Sequence, residues 1–236
     1  MSSIFPAVAI GGPPHSGKSV LTYSLTQTLR QALIQHFVVR ACPDGEGDVT
    51  HETPSNLIRV LRNKGKFSTA FVENVSAALQ RRHLPLLVDV GGKPTPEQKQ
   101  IFQHCTHAII ISSDANAVAE WQETFAHHNL SIIAILDSTL DQPEAIYADG
   151  PILRGRISGL ERGTWASGPL FERLVWLLAQ RRFISLTLAW AGQSPFSPRL
   201  PTKQSQTILL GKSAIMLGRH VSSLSLSMMP IWITPN

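Results

Sequence analysis

Gly12-Pro13-Pro14-His15-Ser16-Gly17-Lys18-Ser19 constrains this chain more than any other stretch. It fits G-x-x-x-x-G-K-[ST], in which consecutive main-chain N–H groups turn inward and cradle phosphates. The flanks supply the context the pattern needs. Residues 5–10 (FPAVAI) form an apolar run suited to a buried strand. Leu21, Leu25, Leu29 and Leu33 then recur every four residues, as on one face of a helix. A helix starting there aims its positive pole at the loop. Gly12, Pro13, Pro14, His15, Ser16, Gly17, Lys18 and Ser19 are therefore the expected nucleotide-binding residues, most of them through backbone. Lys18 brings an ammonium to the β- and γ-phosphates, and the Ser19 hydroxyl is a ligand for Mg²⁺. The alternative, a plain glycine turn capping a helix, leaves the matched flanks unexplained.

A second carboxylate-bearing element accompanies the loop. Residues 84–90 (LPLLVDV) read as an apolar strand ending in Asp89, followed by Gly91-Gly92. An acid at the end of such a strand holds the metal opposite Ser19, so Asp89 is expected to serve as both a metal and a catalytic residue. The glycines allow close passage of the backbone beside the γ-phosphate. Asp89-Val90-Gly91-Gly92 also fits the Asp-x-x-Gly switch of GTPases. No Asn-Lys-x-Asp segment that would read guanine follows; Ser112-Ser113-Asp114 lacks the lysine. ATP is thus preferred to GTP. Between the two motifs, Pro43-Asp44-Gly45-Glu46-Gly47-Asp48 crowds acids after a second strand, residues 37–42. Ligands bind off the carboxyl ends of strands in open α/β sheets. Asp44 and Glu46 can hold Mg²⁺ through water or take a proton from an attacking hydroxyl; the alternative is a solvated turn.

The rest of the chain repeats strand and helix. Strands are expected at 107–112 and 130–136, and helices at 55–63, 69–82 and from Asp114 to His127. Thr95-Pro96-Glu97-Gln98 is a helix start with a capping box. Arg59, Arg62, Lys64 and Lys66 read as a solvated helix end, with an anionic substrate as the alternative. His104, His107, His127 and His128 lie on different elements and lack ligand spacing. Five strands with helices between them predict an α/β fold, a mainly parallel sheet sandwiched by helices. Arg154, Arg156 and Arg162, beside glycines after the fifth strand, are expected to form a mobile clamp on transferring phosphate, or else to pair on the surface. A last helix spans 170–180.

The division of charge bounds the partners. From Arg173 onward there are seven basic and no acidic residues, leaving the rest with fourteen basic and sixteen acidic. The basic character thus belongs to the tail, and the core is not expected to bind nucleic acid. Residues 1–181 are expected to form the nucleotide-binding domain, and 182–236 a basic Ser/Pro-rich tail, either poorly ordered or appended by a shifted reading frame. No stretch suits a membrane span, Met1-Ser2-Ser3 leaves no room for a leader, and Cys42 and Cys105 read as reduced thiols. A cytoplasmic location is the expectation.

Taken together, the Gly11–Ser19 loop, the Pro43–Asp48 loop, Val88-Asp89-Val90-Gly91-Gly92 and Arg154-Gly155-Arg156 resemble a known group. It is the P-loop (AAA-like) domain fused or adjacent to CRISPR-associated ring nucleases that degrade cyclic oligoadenylates, notably in cyanobacteria. The resemblance covers residues 5–180, and no ring-nuclease domain accompanies it. It implies an accessory role in antiviral defence, with a ring nuclease or a cyclic oligoadenylate as partner. Two functions stay open. One is a Mg-ATP-dependent NTPase or kinase-like phosphotransferase in which Asp44, Glu46, Asp89, Arg154 and Arg156 carry the chemistry. The other is a nucleotide-sensing regulatory module that binds ATP or an adenylate messenger without turnover. An oligomer suits either.

Overall fold

The computed structural model of the protein describes residues 5–43, 68–92 and 95–180. Among them are seven strands: β1 (Ala7–Gly11), β2 (Phe37–Arg40), β3 (Leu86–Asp89), β4 (His107–Ile111), β5 (Ser131–Thr139), β6 (Ala145–Asp149) and β7 (Leu153–Ser158). Five helices accompany them: α1 (Lys18–Gln31), α2 (Thr69–Gln80), α3 (Pro96–Phe102), α4 (Ala115–His127) and α5 (Pro169–Leu178). The strands form one sheet in the order β2-β3-β1-β4-β5-β7-β6. Neighbours run parallel except β6, which pairs antiparallel with β7 at the edge. No helix among the described residues is long and apolar enough to cross a membrane. The expected helix over 55–63, the basic stretch from Arg59 to Lys66 and the tail over 182–236 lie outside the described residues.

Side chains alternate along each strand, so the two faces of β1 feed two cores. Val8 and Ile10 pack with Val20, Leu21, Leu25 and Leu29 of α1 and with Leu170, Phe171, Leu174 and Leu178 of α5. Ala7 and Ala9 lie on the other face, under Val72, Val75 and Leu79 of α2, Phe102 of α3, and Trp121 and Phe125 of α4. The sheet is therefore covered on both sides, as buried parallel strands require.

The helix starts follow local chemistry. The Thr95 hydroxyl accepts from the Gln98 N–H while the Gln98 side chain accepts from the Thr95 N–H, a complete capping box. Asp114 accepts from the Asn116 N–H and caps α4. Helix α5 has no side-chain cap at its own N-terminus, where Gly168 stands at φ 107°. Glu144, between β5 and β6, supplies it by accepting from the Phe171 N–H at 3.1 Å. Burial raises the Glu144 carboxyl above its ordinary range, opposed by the N–H groups it accepts from.

Three expectations change. Strand β5 runs on to Thr139, and the β6–β7 hairpin adds two strands beyond the fifth. The leucine stripe of α1 ends at Leu29. The helix stops at Gln31, and Leu33 turns left-handed at φ 59° with 87% of its surface exposed. The Leu33 N–H donates to the Arg30 carbonyl and the Ile34 N–H to the Leu29 carbonyl, a Schellman-type close in which glycine ordinarily holds the left-handed place. Ile34, one residue on, packs against the core instead. Leu33→Gly is therefore expected to raise stability by about 0.5–1 kcal/mol, as a steric cost is removed and partly offset by backbone entropy. Urea unfolding checks it; a lower midpoint for the glycine variant would show that the left-handed turn is not strained.

The third change concerns the late arginines. Arg154 and Arg156 lie within β7, on the face opposite Leu153, Gly155 and Ile157. The Arg156 Nε donates to Asp137 Oδ2 at 3.2 Å on neighbouring β5, and its guanidinium lies over the Tyr147 ring. Strand pairing on both sides of β7 fixes their backbone, so they are not on a mobile loop.

Candidate functional site

A cavity of about 520 Å³ opens at the carboxyl ends of the strands, where the sheet's polarity gathers its loops. Its floor is the turn Pro14–Ser19. One wall is Arg40, the last residue of β2, and Cys42 beyond it, with Asp89, the last residue of β3, and Gly91 and Gly92 beyond it. The other is Leu140 after β5 with Leu160, Glu161 and Arg162 after β7. The structure thus brings together Pro14, His15, Ser16, Gly17, Lys18, Ser19 and Asp89 of the sequence-predicted set. Arg154 and Arg156 are not among the lining residues, whereas Arg162 is. Asp44 and Glu46 lie outside the described residues.

The loop's shape rests on its glycines. A Cβ on Gly12 would meet the Ile111 carbonyl oxygen at 1.9 Å, so the turn lies directly on the end of β4. Gly17, the residue before α1, stands at φ 85°, and a Cβ there would strike Leu160 at 2.7 Å. The loop after β7 is thereby seated against the phosphate turn. Gly92 approaches Pro14 in the same way, and Gly91 approaches Gln98 and Cys42. Those two glycines serve contacts within the protein. His15 sits left-handed at φ 62° and is exposed at the cavity.

The charged groups are close and mostly buried. Lys18 is only 8% exposed, and its ammonium donates to the Pro13 carbonyl at 2.7 Å and to Ser16 Oγ at 3.5 Å. It is thereby folded back over the Pro13–Ser16 turn. The Ser19 hydroxyl donates to Asp89 Oδ2 at 3.1 Å. A hydroxyl and a carboxylate that close are a hard oxygen pair of the kind Mg²⁺ selects, so the residues fit that ion. Arg40 Nη1 stands 3.9 Å from the same Oδ2. Sequence reasoning missed Arg40, Cys42, Leu140 and Leu160; the only signal for Arg40 was a cation at the end of a strand. Asp114, the residue nearest to a guanine reader, is engaged as the cap of α4.

The two thiols differ. Burial pushes Cys105 up to about 12, opposed by the Arg82 guanidinium, and only 8% of the residue is exposed. Cys42 is half-buried on the cavity wall. Iodoacetamide is expected to alkylate Cys42 alone in the native protein, because the thiolate is the nucleophile. Mg-ATP is expected to slow that reaction by covering the wall. Peptide mapping with and without nucleotide checks both points; equal labelling of the two cysteines would refute the first, and unchanged Cys42 labelling the second.

No protein-family profile matches the chain, and no curated protein does. Among known structures, a putative plasmid partition protein from Borrelia burgdorferi, bound to AMPPNP, is similar at 9% identity and a TM-score of 0.51, over 76% of this chain and 100% of that one. The kinase domain of the Escherichia coli tyrosine kinase ETK follows at 12% identity and a TM-score of 0.42, over 57% and 68%. Cobyrinic acid a,c-diamide synthase from Mycobacterium smegmatis, with an ATP analog and magnesium, is at 11% and 0.41, over 93% and 96%. At these identities the first likeness speaks to architecture alone, and that architecture is the P-loop NTPase fold.

Proposed function

We propose that this protein binds a Mg²⁺-loaded nucleoside triphosphate, ATP before GTP, and acts as an NTPase or kinase-like phosphotransferase. The observation that carries the reading is the 3.1 Å approach of Ser19 to Asp89, with Lys18 beside Ser19 in the lining of the same cavity. In this reading the amides of the turn bind the phosphates, and Lys18 exchanges the Pro13 carbonyl for a phosphate oxygen. Ser19 and Asp89 would hold Mg²⁺, which when bound neutralises phosphate charge. Asp44 or Glu46 orients the attacking water or hydroxyl and accepts its proton. Of the three arginines expected to stabilise transferring charge, Arg154, Arg156 and Arg162, the one on the cavity wall, Arg162, takes that part. The AMPPNP named for the similar plasmid partition protein supports a triphosphate ligand.

The test is phosphate release and radiolabel transfer from ATP with a panel of hydroxyl-bearing acceptors. Turnover that Asp44→Ala abolishes while nucleotide affinity stays is the expected result. Binding with no turnover under any acceptor would overturn the transferase reading and leave a nucleotide sensor. A place beside a CRISPR-associated ring nuclease rests on the resemblance of the loops alone. Its test is whether the purified chain changes the rate at which such a nuclease cleaves cyclic oligoadenylate.

A further inference from the structure

Asp89 is a buried carboxylate, its side chain 8% exposed, and a buried charge needs a compensating one. Arg40 is placed to be that charge. The two residues are register partners at the ends of β2 and β3, so the backbone holds them side by side. Both line the cavity, and one oxygen, Asp89 Oδ2, accepts from Ser19 and faces Arg40 Nη1. Asp89 is pinned by burial, whereas the Arg40 side chain is 26% exposed and sits on a long flexible stem at a sheet edge. A dication seated between Ser19 and Asp89 would take over the neutralising role and repel the guanidinium. The nearest new anion would then be the polyphosphate.

We infer that Arg40 is an exchangeable counter-ion of Asp89, a positioning residue that metal loading displaces from the carboxylate toward the terminal phosphate of a triphosphate. The inference rests on the function proposed above. It makes metal uptake and recognition of the third phosphate two readings of one side-chain movement. A plain structural ion pair would couple neither.

Two titrations on the full chain test it, using wild type, Arg40→Gln and Arg40→Lys, each first checked for native fold by circular dichroism. The first follows Mn²⁺ by electron paramagnetic resonance without nucleotide. Arg40→Gln is expected to bind Mn²⁺ roughly tenfold more tightly, since a competing charge is gone, and Arg40→Lys to stay near wild type. The second uses saturating Mg²⁺ with AMPPNP or ADP. Arg40→Gln is expected to lose about tenfold in affinity for AMPPNP and little for ADP, the loss of one charge-assisted contact. Unchanged Mn²⁺ affinity, or an equal loss on both nucleotides, overturns the inference. Wild-type protein that takes Mn²⁺ but no nucleotide overturns the functional reading instead, and the Mn²⁺ titration then decides the counter-ion role by itself.

Discussion

Lys18→Ala is expected to weaken binding of Mg-ATP by about 3 kcal/mol, on the order of a hundredfold in Kd. The ammonium is buried at the first turn of α1, and its contacts with the Pro13 carbonyl and Ser16 hydroxyl keep it over the phosphate turn before any ligand arrives. A cation prepositioned in this way makes charge-assisted bonds to phosphate at little ordering cost. The loop's path depends on Gly12 against Ile111 and Gly17 against Leu160, which the substitution does not touch. The ligand-free melting temperature should therefore change little. The upward shift that excess Mg-ATP gives the wild type should be lost, because stabilisation by a ligand scales with its occupancy. Calorimetric titration checks the affinity, and equal values for both proteins would remove the turn from the binding site.

Trp121→Ala is the substitution expected to damage the fold most, by about 3–5 kcal/mol. Trp121 is 1% exposed and meets Phe125 at 5.2 Å and Phe102 at 6.1 Å between ring centroids. Phe102 in turn meets Phe125 edge-on at 5.3 Å and His128 at 5.9 Å. This cluster rests on Gly11, where an added Cβ would come within 2.7 Å of both Trp121 and Phe125. The aromatic layer therefore presses on the residue just before the phosphate turn. A loss of that size takes a large part of the whole stability of an ordinary domain. The urea midpoint should fall sharply, with Trp121→Phe falling less. A midpoint within experimental error of the wild type would show that α4 is not needed to seat the turn.

The parts legible in the sequence are those where one local rule acts alone. The phosphate turn, the apolar strands β1, β3 and β4, the Thr95 capping box and the Asp114 cap each follow from neighbours in the chain. The β6–β7 hairpin was not legible, because β6 (AIYAD) is an edge strand with most side chains exposed and shows no buried stripe. In β7 the alternation is masked by Gly155, whose missing side chain makes room for Leu170. Leu33 continues the spacing of Leu21, Leu25 and Leu29, yet the helix closes before it without the usual glycine. Arg40 could not be singled out, because its meaning comes from the register that sets β2 beside β3. A local pattern carries no information about which strand lies next to which.

The Ser24 hydroxyl, on the buried side of α1, accepts from the N–H of Ala166, 142 positions later. The leucines of the same helix are enclosed by residues 170–178 of α5. During synthesis the phosphate turn is thus made well before its supporting wall. A nascent chain halted before residue 178 leaves Leu21, Leu25 and Leu29 facing water. Ribosome-stalled intermediates should therefore stay open to protease until α5 has cleared the exit tunnel.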